Sequence, residues 1–276
     1  MQDFVVVGAG PAGSRFARRA ATRGHDVVVF EQGVVGEPLA CSGHVSLDIW
    51  DYAPEGARED LHQNDIYGAR FHLGGPDSAA YPFYKTDPVS NAIDRVGLDR
   101  HLAAAAREAG AAVKENHTVT GVDERADGVE VTVKGPDGEF TVETEMVAGC
   151  DGPRSRVRGE LGLPDPDELL HGVLGFDPEP DDQDFVDVHL NVPRFFAWRI
   201  PRGDAGVEYG LAAAPGEDVP ARFEDLVEGY GAEIDRRCSG AIPIGPPAET
   251  TSHRGFLIGD AAGQTKPFTA AGSSMG

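Results

Sequence analysis

A chain of 276 residues carrying 46 acidic against 24 basic side chains, net charge −22, has no surplus cations to neutralise phosphates, which excludes duplex nucleic acid as a partner. Its 20 arginines against 4 lysines, and 26 aspartates against 20 glutamates, resemble halophilic proteins of a salt-loaded cytoplasm, where a Debye length of roughly 3 Å at about 1 M salt screens self-repulsion; an ordinary acidic protein is the alternative. Three scattered cysteines (Cys41, Cys150, Cys238) argue against a disulfide framework or a metal site, and the lack of a membrane-length apolar run or a leader before the first strand predicts a cytoplasmic protein.

Phe4-Val-Val-Val7 reads as a strand, Gly8-Ala-Gly-Pro-Ala-Gly13 as a glycine turn, Ser14–Arg23 as a helix, and Val27–Phe30 as a second strand closing on Glu31. Such a unit holds the ADP half of a dinucleotide. Gly8 permits the tight turn, Gly10 lets backbone approach a pyrophosphate, and Gly13 lets helix pack on strand. The helix N-terminus offers free N–H groups to phosphate. Glu31, 18 positions after Gly13, suits ribose hydroxyls and disfavours a 2′-phosphate, which favours FAD or NAD over NADP. The competing reading is a glycine-rich turn in some other α/β domain.

A glycine-rich loop, 32–44, follows. Residues 65–88 alternate polar and apolar, with Tyr81, Phe83 and Tyr84 near their end, and read as strands of a sheet outside the nucleotide core. A helix is expected from Asp94 to a glycine C-cap at Gly110, then a core strand over Val113–Val122. Val129–Lys134 and Glu139–Thr144 flank Gly135-Pro-Asp-Gly138 as a hairpin, and Met146–Cys150 runs into Asp151-Gly152. From 165 the chain opens with Pro- and Asp-rich loops and continues as short strands at hairpin spacing: Val186–Val192, Phe195–Ile200 and Val207–Ala213. An acidic helix over Arg222–Tyr230 follows, and Gly255–Gly263 reads as a strand entering a turn and a helix.

The expected fold is α/β with an α+β insertion: a Rossmann-like FAD-binding domain (1–64, 89–164 and 245–276) carrying an inserted antiparallel β-sheet substrate domain (65–88 and 165–244). Three motifs in this order, Gly8–Gly13 with Glu31, Cys150-Asp-Gly-Pro-Arg-Ser-Arg-Val-Arg158, and Gly259-Asp260-Ala-Ala-Gly263, resemble the FAD-dependent hydroxylase and reductase superfamily. Within it the chain resembles the geranylgeranyl reductases. Ala40-Cys41-Ser42-Gly43 is similar to that family's Cys-x-x-Gly-like loop, and Pro193-Arg-Phe-Phe-Ala-Trp-Arg-Ile-Pro201 to its Pro-x-x-Tyr-x-Trp-x-Phe-Pro signature. Gly240-Ala-Ile-Pro243 and Lys266-Pro-Phe-Thr269 stand where members carry similar runs. Phe196 and Ile200 replace the usual Tyr and Phe, and Ala270-Ala-Gly-Ser-Ser replaces a glycine-richer turn.

The resemblance implies FAD contacts at Ala12, Glu31, Ala40, Cys41, Gly43, Arg95, Val119, Asp260, Gly272 and Ser273, beside Gly8, Gly10 and Gly13 of the first loop. Asp260 would bond the ribityl chain, and Gly272 would let backbone approach the flavin. Arg95 could meet the pyrophosphate or form a surface ion pair with Asp94 or Asp99, and Val119 could equally be core. Cys41 is the candidate catalytic residue, a proton donor beside the flavin, or else an inert buried thiol. Phe196 and Trp198 share one strand face that could line a tunnel for a polyprenyl chain or be ordinary sheet core. Arg154, Arg156 and Arg158 are either solvated or contact a phosphate.

The implied activity is saturation of isoprenoid C=C bonds in membrane ether lipids by hydride from reduced FAD, with peripheral membrane association and a ferredoxin, deazaflavin or NAD(P)H as electron donor. Two other readings stand: an FAD-dependent aromatic monooxygenase, which shares the three superfamily motifs, and a flavin-binding protein without activity. The last follows because the resemblance implies a longer chain than one ending at Gly276.

Overall fold

The structure is a computed structural model and describes residues 1–39 and 41–265. The chain begins with β1 (Gln2–Val7), α1 (Pro11–Thr22) and β2 (Val27–Phe30). Next come β3 (His44–Ser46), α2 (Ala57–Leu61), β4 (His62–Ile66), β5 (Gly68–His72), β6 (Ala80–Tyr84) and β7 (Ser90–Ile93). The middle supplies α3 (Arg95–Glu108), β8 (Ala112–Lys114), β9 (Thr118–Glu124), β10 (Val129–Gly135), β11 (Gly138–Gly149) and α4 (Arg156–Glu160). Then follow β12 (Glu168–Asp177), β13 (Phe185–His189), β14 (Ala197–Pro201), β15 (Val207–Ala213), α5 (Val219–Tyr230), β16 (Arg236–Ile244) and β17 (Gly255–Leu257). Among the described residues these elements form two compact units, one of 1–38, 96–168 and 243–265, the other of 39, 41–95 and 169–242.

The first unit is built on a seven-stranded sheet in which β8, β2, β1, β11 and β17 run parallel. Parallel strands covered on both faces need apolar side chains on both. Val5 and Val7 pack with Val131, Val147 and Leu257 on one side, while Val6 packs with Ala17, Ala103 and Ala106 of α1 and α3 on the other. β11 is longer than the expected hairpin arm. Its first half pairs antiparallel with β10, and its second half, the expected Met146–Cys150 run, lies parallel to β1.

The expected single strand over Val113–Val122 is two strands at opposite ends of the sheet path: β8 on β2 and β9 on β10. The break falls at Asn116, whose φ of 59° is a left-handed conformation that asparagine tolerates better than most residues. α1 starts earlier than expected because Pro11 occupies its first turn, where a missing N–H is harmless.

The second unit has a seven-stranded sheet of order β16-β12-β15-β14-β13-β5-β6 and a three-stranded sheet of order β3-β7-β4. The expected antiparallel sheet is present with one exception, the parallel pairing of β13 with β5. β12, where the opening Pro- and Asp-rich stretch predicts loop, and β16, over which no element is expected, flank it at one side. α5 starts at an Asp218 cap and covers one face with Phe223, Leu226 and Val227 against Tyr209 and Leu211. Ile66 and Ala92 of the small sheet pack against Val186 and Ile200 on the other face. That packing places residues 39–64 and 89–95 in the second unit rather than in the nucleotide-binding part where the sequence put them.

Candidate functional site

In the first unit the glycine turn has two closed positions and one open one. Gly8 has φ +96°, and a Cβ there would run into the Cys150 carbonyl. A Cβ at Gly13 would strike the Gly8 carbonyl oxygen and come within 3.1 Å of the Cys150 Cβ. At Gly10 a Cβ would meet nothing within 4 Å, so the turn leaves a cradle over the start of α1. The first turn of α1 carries no acid to repel an anion. The Ser14 hydroxyl donates to the Ala9 carbonyl at 2.8 Å and braces the turn.

Glu31 stands beside that cradle. Its Oε2 accepts from the Ala9 N–H at 2.8 Å and its Oε1 from the Gly33 N–H at 3.2 Å. Each oxygen keeps a lone pair for a ribose hydroxyl. An open backbone cradle, an acid-free helix start and an anchored carboxylate fit the pyrophosphate and ribose of FAD.

The other two superfamily motifs complete this unit structurally. Asp151 accepts from the Ser155 hydroxyl (2.6 Å) and from the Arg156 and Val157 N–H groups (2.7 and 3.1 Å), capping α4. Arg158 is buried and donates to the carbonyls of Ala261 (3.0 Å) and Pro153 (2.9 Å) and to Asp165 (2.9 Å). It is a strut under the Gly259–Ala262 turn and so is not available to a phosphate; Arg154 and Arg156 are exposed. Gly259 brings that turn against α1, where its Cβ would lie 3.0 Å from the Ala12 Cβ, and half-buried Asp260 follows it. Val119 contributes its side chain to the core. The Cys150 thiol is buried, and burial followed by the Asp151 charge pushes its pKa up, leaving an inert group.

Cys41, Gly43 and Arg95 belong to the second unit, while Ala40, Gly272 and Ser273 lie outside the described residues. Arg95 is buried at the first position of α3. Cys41 is exposed, contrary to its reading as an inert buried thiol. Gly43 is fixed from two sides, its carbonyl accepting from the Ile93 N–H (2.9 Å) and its N–H donating to Glu208 Oε2 (3.0 Å). His44 shares its ring Nε2 with the Ser90 hydroxyl at 2.7 Å, and burial holds its pKa down to about 4.

Phe196 precedes β14 rather than lying in it, yet its ring meets that of Trp198 edge-on with centroids 5.7 Å apart. Across the sheet, register puts Gly210, Trp198, Val188, Phe71 and Tyr81 in one row over five strands. Directly paired residues share a face, so a second row contains Ala69 and Phe83 beside Val186 and Ile200. At the free edge Tyr81 and Phe83 are 52% and 67% exposed. The opposite face holds a buried polar network that the sequence did not suggest. Asp187 accepts from Arg70 (2.6 and 2.7 Å) and pairs with His72 (2.9 Å), and His189 pairs with the Tyr230 hydroxyl (2.8 Å). Burial opposes ionisation of Asp187, but Arg70 and His72 outweigh it and hold its pKa low.

The chain is similar to known proteins. Sequence profiles described as FAD binding domains match residues 3–81 and 59–196. Digeranylgeranylglycerophospholipid reductase 2 of Methanothermobacter thermautotrophicus is 30% identical, the alignment covering 98% of this chain and 73% of the relative. The chain belongs to the digeranylgeranylglycerophospholipid reductase family. FAD is the cofactor of this family member. The fold is that of a geranylgeranyl bacteriochlorophyll reductase-like protein of Thermoplasma acidophilum, with TM-score 0.87, 24% identity, and coverage of 98% of this chain and 74% of that one. A p-nitrophenol 4-monooxygenase of Pseudomonas putida also superposes, with TM-score 0.75 over 97% of this chain and 74% of that one. At 19% identity that likeness shows the fold alone. No helix among the described residues is long and apolar enough to cross a membrane.

Proposed function

We propose that this protein is an FAD-dependent reductase that saturates C=C bonds in the geranylgeranyl chains of archaeal ether phospholipids. The observation that carries the reading is the apolar track of the second unit, running from exposed Tyr81 and Phe83 to Trp198, in a chain whose relatives are named for that lipid. FAD, when bound, supplies the hydride. Gly10 and the start of α1 receive its pyrophosphate, and Glu31 holds its ribose. Ala12 and Asp260 of the same unit are assigned to the same cofactor.

The track suits an isoprenoid chain because the row from Trp198 through Val188 and Phe71 is long and apolar up to the Tyr81 hydroxyl at its edge. Glu208, at the end of the neighbouring row, has its oxygens taken up by the Trp198 and Gly43 N–H groups. Five strands spaced about 4.8 Å apart give it a length of roughly 19 Å. Its apolar walls exclude water, and Phe196 and Trp198 offer flat rings to the double bonds. The Cys41 thiol, exposed where Cys150 is buried, donates the proton. Tyr81 and Phe83 dock the protein on the lipid surface, apolar contact being needed because net charge −22 repels anionic lipid. A ferredoxin, deazaflavin or NAD(P)H reloads the cofactor.

The test is anaerobic incubation of the FAD-loaded, dithionite-reduced chain with unsaturated geranylgeranyl ether lipid, followed by mass spectrometry. The expected product gains hydrogen in pairs. Unchanged lipid in the presence of bound, reduced FAD would overturn the reading.

A further inference from the structure

Glu208 is 0% exposed on β15, where no solvent reaches its carboxyl. Both of its oxygens are occupied by N–H donors from distant parts of the second unit. Oε1 accepts from the Trp198 indole Nε1 at 3.1 Å, and Oε2 accepts from the Gly43 N–H at 3.0 Å. Acceptors at both ends suit a carboxyl side chain, whereas an amide of the same size accepts at one end only. Arg202 supplies balancing charge: burial lowers its pKa, and Glu208 works against that.

Burying a carboxylate is unfavourable unless its partners are fixed in place. Here they are. Gly43 is held on its other side by Ile93, and the Trp198 ring lies over Gly210, where any Cβ would collide with the indole. Each partner belongs to a segment with a proposed chemical role, the Cys41 loop and the aromatic wall.

We propose that Glu208 is a positioning residue that ties Trp198 to the Cys41-Ser42-Gly43 loop, so that the ring facing the isoprenoid and the loop carrying the thiol keep one fixed separation. This rests on the reductase reading above. An amide in its place keeps one acceptor, which stays with the Gly43 N–H fixed in the backbone, so its NH₂ group faces the Trp198 indole N–H and the Trp198 half of the clamp breaks. An apolar residue would break both halves.

The experiment uses the full FAD-loaded chain with Glu208→Gln, Trp198→Phe and the double variant. The chain has two tryptophans, and Trp50, whose Nε1 donates to Asn91 at 2.6 Å, serves as an internal reference for the indole N–H signals in ¹⁵N NMR. In Glu208→Gln the Trp198 signal should move and exchange faster with deuterium, while Trp50 stays put. With dithionite-reduced protein and geranylgeranyl ether phospholipid vesicles, kcat should fall on the order of tenfold, as expected for losing a bond to a charged group, with KM and FAD content unchanged. The double variant should be no slower than the slower single one, because both remove the same contact.

An unmoved Trp198 signal with wild-type kcat, or losses that multiply in the double variant, would overturn the assignment. Should Glu208→Gln fail to fold, the wild-type Trp198 N–H decides: protection from exchange supports the clamp, and exchange as fast as a free indole refutes it. Lipid left unreduced by the wild-type chain would sink the reductase reading instead, while the indole readout still judges the clamp.

Discussion

The glycine cradle of the first unit and the aromatic sheet of the second are built from opposite kinds of residue. In the first, a ligand site exists because side chains are missing: Gly8 and Gly13 let backbone close up, and Gly10 leaves room. In the second, the site is made of large side chains (Trp198, Phe71, Phe83, Tyr81) laid in register across strands. Gly210 joins the two styles, since its bare backbone is what lets the Trp198 ring lie flat. A site made by absence is intolerant of any side chain at Gly8 and Gly13, where backbone already touches backbone. A site made by bulk tolerates exchange of one ring for another but not a change of face or a charge.

Substitutions should therefore separate the two activities, and four of them test whether they do. The largest effect is expected at Gly13→Val, whose side chain collides with backbone and should destabilise the first unit by about 3 kcal/mol or more, with loss of FAD from the purified protein. Yellow, FAD-loaded Gly13→Val would break the comparison. Next, Gly210→Ala should push the Trp198 ring off the sheet at a cost of about 2 kcal/mol, slowing lipid turnover while the flavin spectrum stays wild type. Equal loss of FAD and turnover would show that the two sites are not separable.

Smaller in effect, pH acts on the second unit through His44. Its folded-state pKa of about 4 lies below the ordinary 6.5, so the unfolded chain takes up the proton first. Stability is full above about pH 6.5 and declines as pH falls toward about 4, by on the order of 2 kcal/mol, since His44 is only partly shielded. Urea unfolding followed by Trp fluorescence at both ends of that range should show the loss, and His44→Gln should flatten it. Smallest of all, Glu31→Gln should weaken FAD binding about fivefold, the worth of roughly 1 kcal/mol of charge-assisted bonding, without altering vesicle flotation.

How far the sequence revealed each region follows from the range of the interactions involved. The first unit was legible because its signal is local: Gly8 to Glu31 is one β–α–β stretch whose spacing dictates its geometry. It misled at Asn116, where a left-handed residue splits an apparently continuous strand, and at the start of α1 and the length of β11. In the second unit the hairpin strands were visible, but β12 and β16 were not, because they pair with strands distant in sequence and a Pro- and Asp-rich run leads into β12. Phe196, expected to share a strand face with Trp198, instead precedes β14 and meets Trp198 only edge-on. Glu208 was missed because a lone acid amid Val207 and Tyr209 reads as a solvent-facing strand position, and only a sheet buried on both faces turns it inward. The buried Asp187 network was hidden for the same reason.

The claim under all of this is that geranylgeranyl lipid is what oxidises the reduced cofactor. Stopped-flow absorbance of the dithionite-reduced chain, mixed under argon with vesicles of the unsaturated ether lipid, tests it directly. The account predicts recovery of the oxidised flavin spectrum in step with lipid consumption. Flavin that stays reduced under argon and recovers only when oxygen is admitted would contradict it.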